Sequence, residues 1–436
     1  MNLAHRFDEV LAGSAFAGAL PPAVANFAAR RGDDDAVRQL PDAALRGLAL
    51  ALVARPEVAG FASHRPVWLE RVAALGPGAL RRRADELVSV LAPLDGAPLE
   101  DALDALRLRR REEMALAACA DLGGIEPLES VSEFLSRVAE EILAAALRLA
   151  VRETRSADDS GFAVLGMGKL AGRELSYHSD LDLIFLVRGD AEQIDRAVRI
   201  GQRLISYLTT MTGAGVAYEV DTRLRPSGRQ GMLVSSYAGF ERYQTLEAHT
   251  WEHLAVLRAR AVAGDSEAAP LLARVHTHVL ARREPPWAEL APLRRRVEDE
   301  RGSRSSESVA LKTGRGGLMD VDFLAGGGLL ERGAKRFPAL PSIAALLRAC
   351  AAGPRIDALL TDYRGLRIVE SRARWLAGRA VDALDAEAAG AVAELVQPGL
   401  EGGGLLESLR AACARVRAAF DAVVDADTLS ALELRP

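Results

Sequence analysis

Residues 161–187 read GFAVLGMGKLAGRELSYHSDLDLIFLV and place a glycine-rich turn between two apolar runs. The first run is residues 162–165, and the second, which follows an acidic start, is residues 181–187. Between them, residues 166–172 contain three glycines and one lysine. Short apolar runs flanked by glycine are typical of strands joined by a loop. The segment therefore predicts a strand, a phosphate-binding loop and a second strand.

The second predicted strand begins with two aspartates that share one face. Successive side chains of a strand point to opposite faces, so Asp180 and Asp182 lie together while Leu181 faces a core. Neighbouring carboxylates raise each other's pKa, and Mg²⁺, which carboxylates and substrate phosphates commonly hold, relieves that repulsion. Gly168 lies twelve positions before Asp180 and allows the backbone to approach a phosphate closely, and Lys169 adds a positive charge. A loop with two solvated aspartates is the alternative, but this order favours a nucleotide site.

A third acidic position follows in residues 216–228, VAYEVDTRLRPSG. Strand alternation would place Asp221, Arg223 and Arg225 on one face. If this strand lies beside the aspartate pair, Asp221 adds a third carboxylate and the two arginines reach substrate phosphates. An ordinary salt-bridged strand is the alternative. The glycine turn that follows predicts a hairpin partner at residues 232–234.

The composition is that of a globular protein without a dedicated nucleic-acid or membrane partner. The chain has 436 residues, 49% of them hydrophobic, and a net charge of −5. This length predicts two or three domains, and the weak negative charge argues against binding to anionic polymers or membranes. The three cysteines form no disulfide or metal-binding pattern. No apolar run reaches the length of a membrane span and no signal-peptide pattern is present, so we predict a cytoplasmic location.

The rest of the sequence predicts an α+β fold that is mostly helical. We predict a helical N-terminal domain at residues 1–152, a catalytic core with a small mixed sheet at residues 153–265, and a C-terminal helical bundle at residues 266–436. Apolar residues recur at helical spacing in residues 128–151 and 191–212, and residues 237–260 are predicted to form a further helix. The basic run RLRRR at residues 107–111 is interpreted as a solvated helix face rather than a partner-binding patch.

The predicted helix at residues 237–260 contains HTWEH, a zinc-like pattern. His249 and His253 are four residues apart with Glu252 between them, as in the H-x-x-E-H pattern of some metallopeptidases. So short a pattern also arises by chance. A zinc peptidase is therefore a remote alternative, and polar neighbours or the nucleotide are the favoured partners of these side chains.

A last pattern, LKTGRGGLMDVDF at residues 311–323, predicts a glycine turn that opens a helix. Asp320 and Asp322 stand in the first turns, where the helix dipole alone favours acids, so a structural and an accessory functional role remain equally open. Glycines at residues 326–328 should weaken this helix by about 1 kcal/mol each relative to alanine. Residues 340–436 predict helices without a chemical signal.

The segment GMGKLAGRELSYHSDLDLIF resembles the signature of the glutamine synthetase adenylyltransferase family, which belongs to the polymerase-β-like nucleotidyltransferases. The similarity covers most of residues 100–390, including DTRLRP at residues 221–226 and the element with Asp322, where the family usually has glutamate. The residues and the resemblance together imply a site made of the catalytic and metal-binding acids Asp180, Asp182 and Asp221, the nucleotide-binding residues Gly166, Gly168, Lys169, Ser179, Arg223 and Arg225, and the accessory acids Glu252, Asp320 and Asp322, with Mg²⁺ as cofactor and ATP as substrate.

The resemblance implies that AMP is moved from ATP to a tyrosine of glutamine synthetase, a reaction that phosphate can reverse. Ser227, Met232, Thr250 and His253 match the adenylylating half of the family, so a single catalytic unit of that type is expected. Glutamine synthetase and a nitrogen-signalling regulator are the implied partners. The main alternative is a catalytically silent relative that only binds nucleotide or partner.

Overall fold

A computed structural model describes residues 2–16, 18, 20–31, 35–154, 161–189, 191–281, 285–302, 307–334 and 336–433. This part of the chain is mostly helical and contains one five-stranded mixed sheet and one two-stranded sheet, which confirms the predicted α+β class. Most of the predicted linker at residues 152–160 lies outside the described residues. Among the described helices, none has the length and apolar character needed to cross a membrane.

The N-terminal part consists of packed helices. They are α1 Leu3–Val10, α2 Pro22–Arg31, α3 Asp35–Arg38, α4 Asp42–Ala54, α5 Val58–His64, α6 Pro66–Ala73, α7 Ala79–Leu91, α8 Leu99–Leu122 and α9 Leu128–Glu153, with a 3-10 turn at Ala92–Gly96. α9 confirms the helix predicted at residues 128–151. α4 and α8 cross closely, because a Cβ on Gly47 would lie 1.9 Å from the carbonyl oxygen of Cys119.

The sheet and its connections follow. They are β1 Phe162–Met167, α10 Gly168–Ala171, β2 Leu181–Val187, α11 Ala191–Thr209, β3 Val220–Asp221, a 3-10 turn Gly228–Gln230, β4 Val234–Ser236, α12 Tyr237–Leu246, α13 Thr250–Val256 and β5 Ala259–Gly264. The strand order is β3-β2-β1-β5, and β4 also pairs with β2. β1 is antiparallel to β2 and β5, whereas β3 and β4 are parallel to β2.

The two faces of the sheet are buried in different hydrophobic clusters. On β2, Leu181, Leu183 and Phe185 pack with the N-terminal helices. Ile184 and Leu186 pack with the C-terminal helices. Side chains alternate between faces, so Asp182 belongs to the face that the C-terminal helices cover. The C-terminal part can therefore contribute side chains to the surroundings of Asp182.

The C-terminal part is again helical. Its elements are α14 Ala268–Ala281, α15 Trp287–Arg301, β6 Val309–Ala310, α16 Leu318–Arg332, α17 Ile343–Cys350, α18 Pro354–Ala377, β7 Ala383–Leu384, α19 Ala386–Val396, α20 Gly402–Ala426 and a 3-10 turn Leu429–Leu432. β6 and β7 form the two-stranded sheet. The glycine turn that opens α16 was predicted from the sequence.

The three glycines within α16 allow its neighbours to pack against its backbone. A Cβ on Gly326, Gly327 or Gly328 would lie 2.5 Å from a side-chain atom of Leu254, Trp287 or Leu429, respectively. Such a distance is too short for any carbon–carbon contact. The glycines therefore lower the helix propensity, as expected, but they also allow close packing on three sides of the helix. Alanine at these positions would prevent that packing.

Three predictions of secondary structure were wrong in whole or in part. The strand predicted around Asp221 is present and pairs with β2, but it is only two residues long, so Arg223 and Arg225 lie beyond it in a turn and not on its face. Residues 232–234 are not its hairpin partner, since β4 begins at Val234 and pairs in parallel with β2. The helix predicted at residues 237–260 is divided into two helices, α12 and α13, and its last two residues belong to strand β5. The alanine-rich sequence of β5 favours a helix, but its pairing with β1 outweighs this preference.

The basic run at residues 107–111 is not a solvated face. The Arg107 side chain is fully buried and donates hydrogen bonds to the carbonyl groups of Tyr207, Thr210 and Gly215, at the end of α11 and in the loop that follows. Burial lowers the pKa of Arg107. Arg110 lies 4.6 Å from the ring centre of Tyr218. This run therefore joins α8 to the segment that leads into β3.

Candidate functional site

The pairing of β2 with β3 brings the predicted acids together. Asp182 and Asp221 are direct partners in the parallel register, one residue after Leu181 and Val220. Asp180 immediately precedes β2 and is exposed. The backbone N–H of Leu181 donates to the carbonyl of Glu219 at 2.9 Å and fixes this end of the two strands. Three carboxylate residues thus meet at the edge of the sheet where both strands begin.

The carboxyl group of Asp182 is electrostatically strained. Burial and the neighbouring Asp180 raise its pKa to about 6, and Asp221 acts in the same direction. Lys312 and Lys169 oppose this shift. Binding of a hard cation is favourable at such a position, because the cation offsets the repulsion between the ionised carboxylates.

Asp221 is engaged by Arg223. The Arg223 guanidinium contacts the Asp221 carboxylate, with its Nε 2.7 Å from Oδ2, and the backbone N–H of Arg223 donates to Oδ1 at 2.8 Å. Within the described residues, no set of three His, Cys, Asp or Glu side chains stands ready to hold a metal ion. The oxygen donors at Asp180, Asp182 and Asp221 suit Mg²⁺ by their chemistry, and the Arg223 contact with Asp221 would have to open for all three to be used. Arg223 is more than half exposed, so its side chain has space to move.

The glycine turn lies against Asp182. Gly168 has a φ of +53°, and a Cβ placed on it would be 3.6 Å from Asp182 Oδ2. Gly166 is paired within β1, where the side chains of Leu170 and Val262 leave no space for a Cβ. The backbone N–H of Gly168 donates to the carbonyl of Arg258 at 2.9 Å, so this donor is already used. The turn therefore brings the backbone close to the Asp182 carboxylate. For the Gly168 N–H to contact phosphate, as predicted, its hydrogen bond to Arg258 would have to break.

Lys169 forms an ion pair with the C-terminal part. Its Nζ lies 2.5 Å from Glu370 Oε1 of α18. Burial lowers the pKa of Lys169 to about 7, against the attraction of Glu370. Burial alone would raise the pKa of Glu370, but Lys169, Arg374 and Arg367 together lower it to about 2. Glu370 is therefore an ionised carboxylate within a buried group of cations.

The remaining predicted nucleotide-binding residues hold local structure. The hydroxyl oxygen of Ser179 accepts from the backbone N–H of Ser176 at 3.2 Å and lies 3.4 Å from a nitrogen of Arg374. Arg225 donates to the Thr222 carbonyl at 2.7 Å and to the Gly231 carbonyl at 3.2 Å, which closes the loop after β3. Their contact with phosphate stays a prediction.

The zinc-like pattern forms the start of a helix. His249 precedes α13 and caps it, while Glu252 accepts from the His249 backbone N–H at 3.0 Å and from the Tyr243 hydroxyl at 2.7 Å. A ring nitrogen of His253 lies 3.0 Å from the carbonyl oxygen of Gln244. These contacts give the histidines and Glu252 a structural explanation that needs no zinc.

Asp320 and Asp322 have different surroundings. Asp320 is fully buried; its carboxylate contacts Arg294 and accepts from the Gly316 backbone N–H at 2.7 Å. Asp322 lies 3.1 Å from Arg258, which also contacts Glu174 at 2.7 Å. Since the Arg258 carbonyl holds the Gly168 N–H, Asp322 is connected to the glycine turn through one residue. Asp320 instead holds the loop that precedes α16.

The sequence reasoning missed the contribution of α18. Arg367, Glu370 and Arg374 are spaced by three and four residues and are buried on one helix face. Arg367 lies 3.5 Å and Arg374 lies 3.4 Å from Glu370, which in turn contacts Lys169. The sequence signal for this cluster was the spacing of the charged residues, which places them on one face of a helix. The prediction that residues 340–436 carry no chemical signal was wrong.

Comparison with known proteins points to one family. The sequence profile described as glutamate-ammonia ligase adenylyltransferase matches residues 46–273, which is 228 of the 436 residues and includes β1, β2 and β3.

Individual relatives agree with this match. The chain is 37% identical over 303 residues to a protein of Thioalkalivibrio sulfidiphilus named bifunctional glutamine synthetase adenylyltransferase/adenylyl-removing enzyme, with 62% of this chain and 31% of the relative covered. A protein of Chromobacterium violaceum with the same name is 38% identical over 305 residues, with 67% and 34% covered. The chain thus spans about a third of the length of the curated relatives it matches.

Proposed function

Because the chain belongs to the glutamate-ammonia ligase adenylyltransferase family, we propose that it transfers AMP from ATP to a tyrosine of glutamine synthetase in a Mg²⁺-dependent reaction. The observation that carries this proposal is the pairing of Asp182 with Asp221 beside Asp180 and the Gly168 turn. Such a reaction, which consumes ATP, would take place in the cytoplasm.

The acids divide the chemical work between them. Asp180 and Asp182, with Asp221, would hold Mg²⁺, which when bound supplies charge neutralisation at the phosphates and at the attacking oxygen. A tyrosine hydroxyl has a pKa of about 10, so it needs a base to become a nucleophile at neutral pH. Asp221 is suited to accept the tyrosine proton once its ion pair with Arg223 has opened. The tyrosine oxygen then bonds to the α-phosphorus, and the bond to pyrophosphate breaks.

Arg223 has a second part in this proposal. Its guanidinium is held by Asp221, and it is more than half exposed. As pyrophosphate leaves, negative charge builds up on it, and Arg223 can neutralise this charge once it turns away from Asp221. The same groups would serve the reverse reaction, in which phosphate attacks the AMP-tyrosine and yields ADP and free tyrosine. The names of the relatives include an adenylyl-removing activity, which supports this second direction.

The proposal is tested by incubating the protein with ATP labelled at the α-phosphate, Mg²⁺ and glutamine synthetase. We expect label on a tyrosine of the synthetase, and no label when Asp180 is replaced by asparagine. Asp195→Asn is the matched control, because Asp195 is an exposed carboxylate on α11. Binding of MgATP without transfer of label would identify a silent relative and contradict the proposed activity.

A further inference from the structure

A bound triphosphate needs protein cations in addition to Mg²⁺, and most cations near the acids already have partners. Lys169 is paired with Glu370, Arg223 with Asp221, and Arg258 with Glu174 and Asp322. Arg225 holds the loop after β3. Each of these side chains is therefore already engaged in an ion pair or a loop contact.

Lys312 differs from these cations. It is exposed, and within the part of the chain that the structure describes, no hydrogen bond or ion pair joins its ammonium group to another residue. A lysine ammonium is a compact point charge suited to phosphate oxygens. Lys312 can therefore bind phosphate without giving up a hydrogen bond or ion pair to another described residue.

The backbone fixes Lys312 next to the start of α16. The N–H groups of Leu318 and Met319 donate to the carbonyls of Leu311 and Lys312 at 2.9 and 3.1 Å. The loop between them has little freedom, because a Cβ on Gly316 would lie 1.8 Å from the Cys413 carbonyl oxygen. The position of the Lys312 backbone is thus set by this loop.

The same helix start is joined to the glycine turn. Asp322, one helical turn after Met319, contacts Arg258 at 3.1 Å, and the Arg258 carbonyl accepts the N–H of Gly168 at 2.9 Å. Gly168 in turn faces the Asp182 carboxylate. A short chain of contacts therefore places the Lys312 loop at the border of the acidic site.

The electrostatics agree with this placement. Burial and Asp180 raise the pKa of Asp182, and the charge of Lys312 is the strongest influence in the opposite direction. Burial also raises the pKa of Asp322, which Arg258 and Lys312 oppose. The positive charge of Lys312 thus acts on an acid of the β2 strand and on an acid of α16 at the same time.

We propose that Lys312 binds the β- and γ-phosphates of ATP, while Lys169 remains paired with Glu370 and supports the glycine turn. This inference rests on the proposed function and assigns the triphosphate contact to a residue of the C-terminal part. A cation in this role acts on the phosphates that AMP lacks. Its removal should therefore weaken binding of ATP and leave binding of AMP unchanged.

The test is calorimetric titration of the full chain with MgATP and, separately, with AMP and Mg²⁺. We expect Lys312→Ala to raise the Kd for MgATP by about 10- to 100-fold, as for a lost charge-assisted hydrogen bond, with no change for AMP. Lys312→Arg retains the charge and should lose less. Arg315→Ala is the matched control, since Arg315 lies in the same loop, is exposed, and contacts Asp421 instead.

The outcomes separate this inference from the proposed function. If the original protein transfers AMP and Lys312→Ala binds MgATP as tightly, the role of Lys312 is refuted and the activity stands. Equal weakening of ATP and AMP, or an equal effect of Arg315→Ala, would also refute it, because a structural change would act on both ligands. If the original protein binds MgATP but transfers no AMP, the proposed activity fails while the Lys312 result still decides the binding role. A protein that binds no MgATP would overturn both.

Discussion

Asp182→Asn is expected to lower adenylyl transfer by about a thousandfold or more, because a carboxylate that helps hold Mg²⁺ contributes several kcal/mol of charge stabilisation in the transition state. Asp182 lies next to the other two acids and the glycine turn: it pairs with Asp221 in the strand register, lies close to Gly168 and interacts with Asp180. Asparagine has nearly the same shape but no charge. We therefore expect the substitution to reduce catalytic activity while the fold is retained.

The same substitution should stabilise the protein when no metal is present. The pKa of Asp182 is raised to about 6, above the value of about 3.9 for an unfolded chain. The folded protein thus binds this proton more tightly, so the favourable contribution is complete below about pH 4 and is lost as the pH rises through about 6. At pH 7.5 we expect Asp182→Asn to raise the free energy of unfolding by about 1–3 kcal/mol.

Chemical denaturation with a metal chelator at pH 7.5 and pH 5, together with the labelled-ATP assay, measures both effects. The gain in stability should shrink at pH 5, where Asp182 is already largely protonated. Asp195→Asn, on the exposed side of α11, should change neither quantity. Transfer by Asp182→Asn within tenfold of the original rate would contradict the assigned role.

Asp320→Ala is expected to destabilise the fold by about 3–5 kcal/mol, because it leaves the charge of Arg294 buried without its carboxylate partner. Both side chains are fully buried. Arg294 also donates to the Gly314 carbonyl at 2.6 Å, and Asp320 accepts the N–H of Gly316. The pair therefore fixes the loop that carries Lys312, and its loss should be measured as lower stability.

Urea denaturation of the single and double variants tests this interpretation. Replacing both residues of the pair by apolar ones, Arg294→Met with Asp320→Leu, removes both charges and should recover much of the stability, since buried ion pairs are often replaceable by apolar residues. Additive losses in the double variant would show that the two charges do not depend on each other. Asp322→Ala, whose carboxylate is partly exposed, should cost less.

The sequence predicted the parts of the site that depend on local patterns. The alternation of Leu181 and Asp182 follows directly from strand geometry, and it places Asp182 on the opposite face of β2 from Leu181. The family signature added the partner strand with Asp221. What could be predicted was therefore that Asp182 and Asp221 lie on neighbouring strands.

The contacts that depend on distant parts of the chain were not predictable in this way. Lys169 and Glu370 are 201 residues apart, and no local pattern indicates which carboxylate a lysine in a glycine turn will meet. The β5 strand was missed because its alanine-rich sequence favours a helix, whereas its pairing with β1 is a tertiary effect. Likewise, the glycines of α16 weaken a helix in isolation but admit three close neighbours in the fold.

Binding of Mn²⁺ as a substitute for Mg²⁺, followed by electron paramagnetic resonance with a non-hydrolysable ATP analogue, tests most directly whether the three acids form a metal–nucleotide site. We predict that the original protein binds the ion together with the nucleotide and that Asp182→Asn and Asp221→Asn each weaken its binding by about tenfold or more, whereas Asp195→Asn does not. Unchanged Mn²⁺ affinity in both aspartate variants would contradict the account.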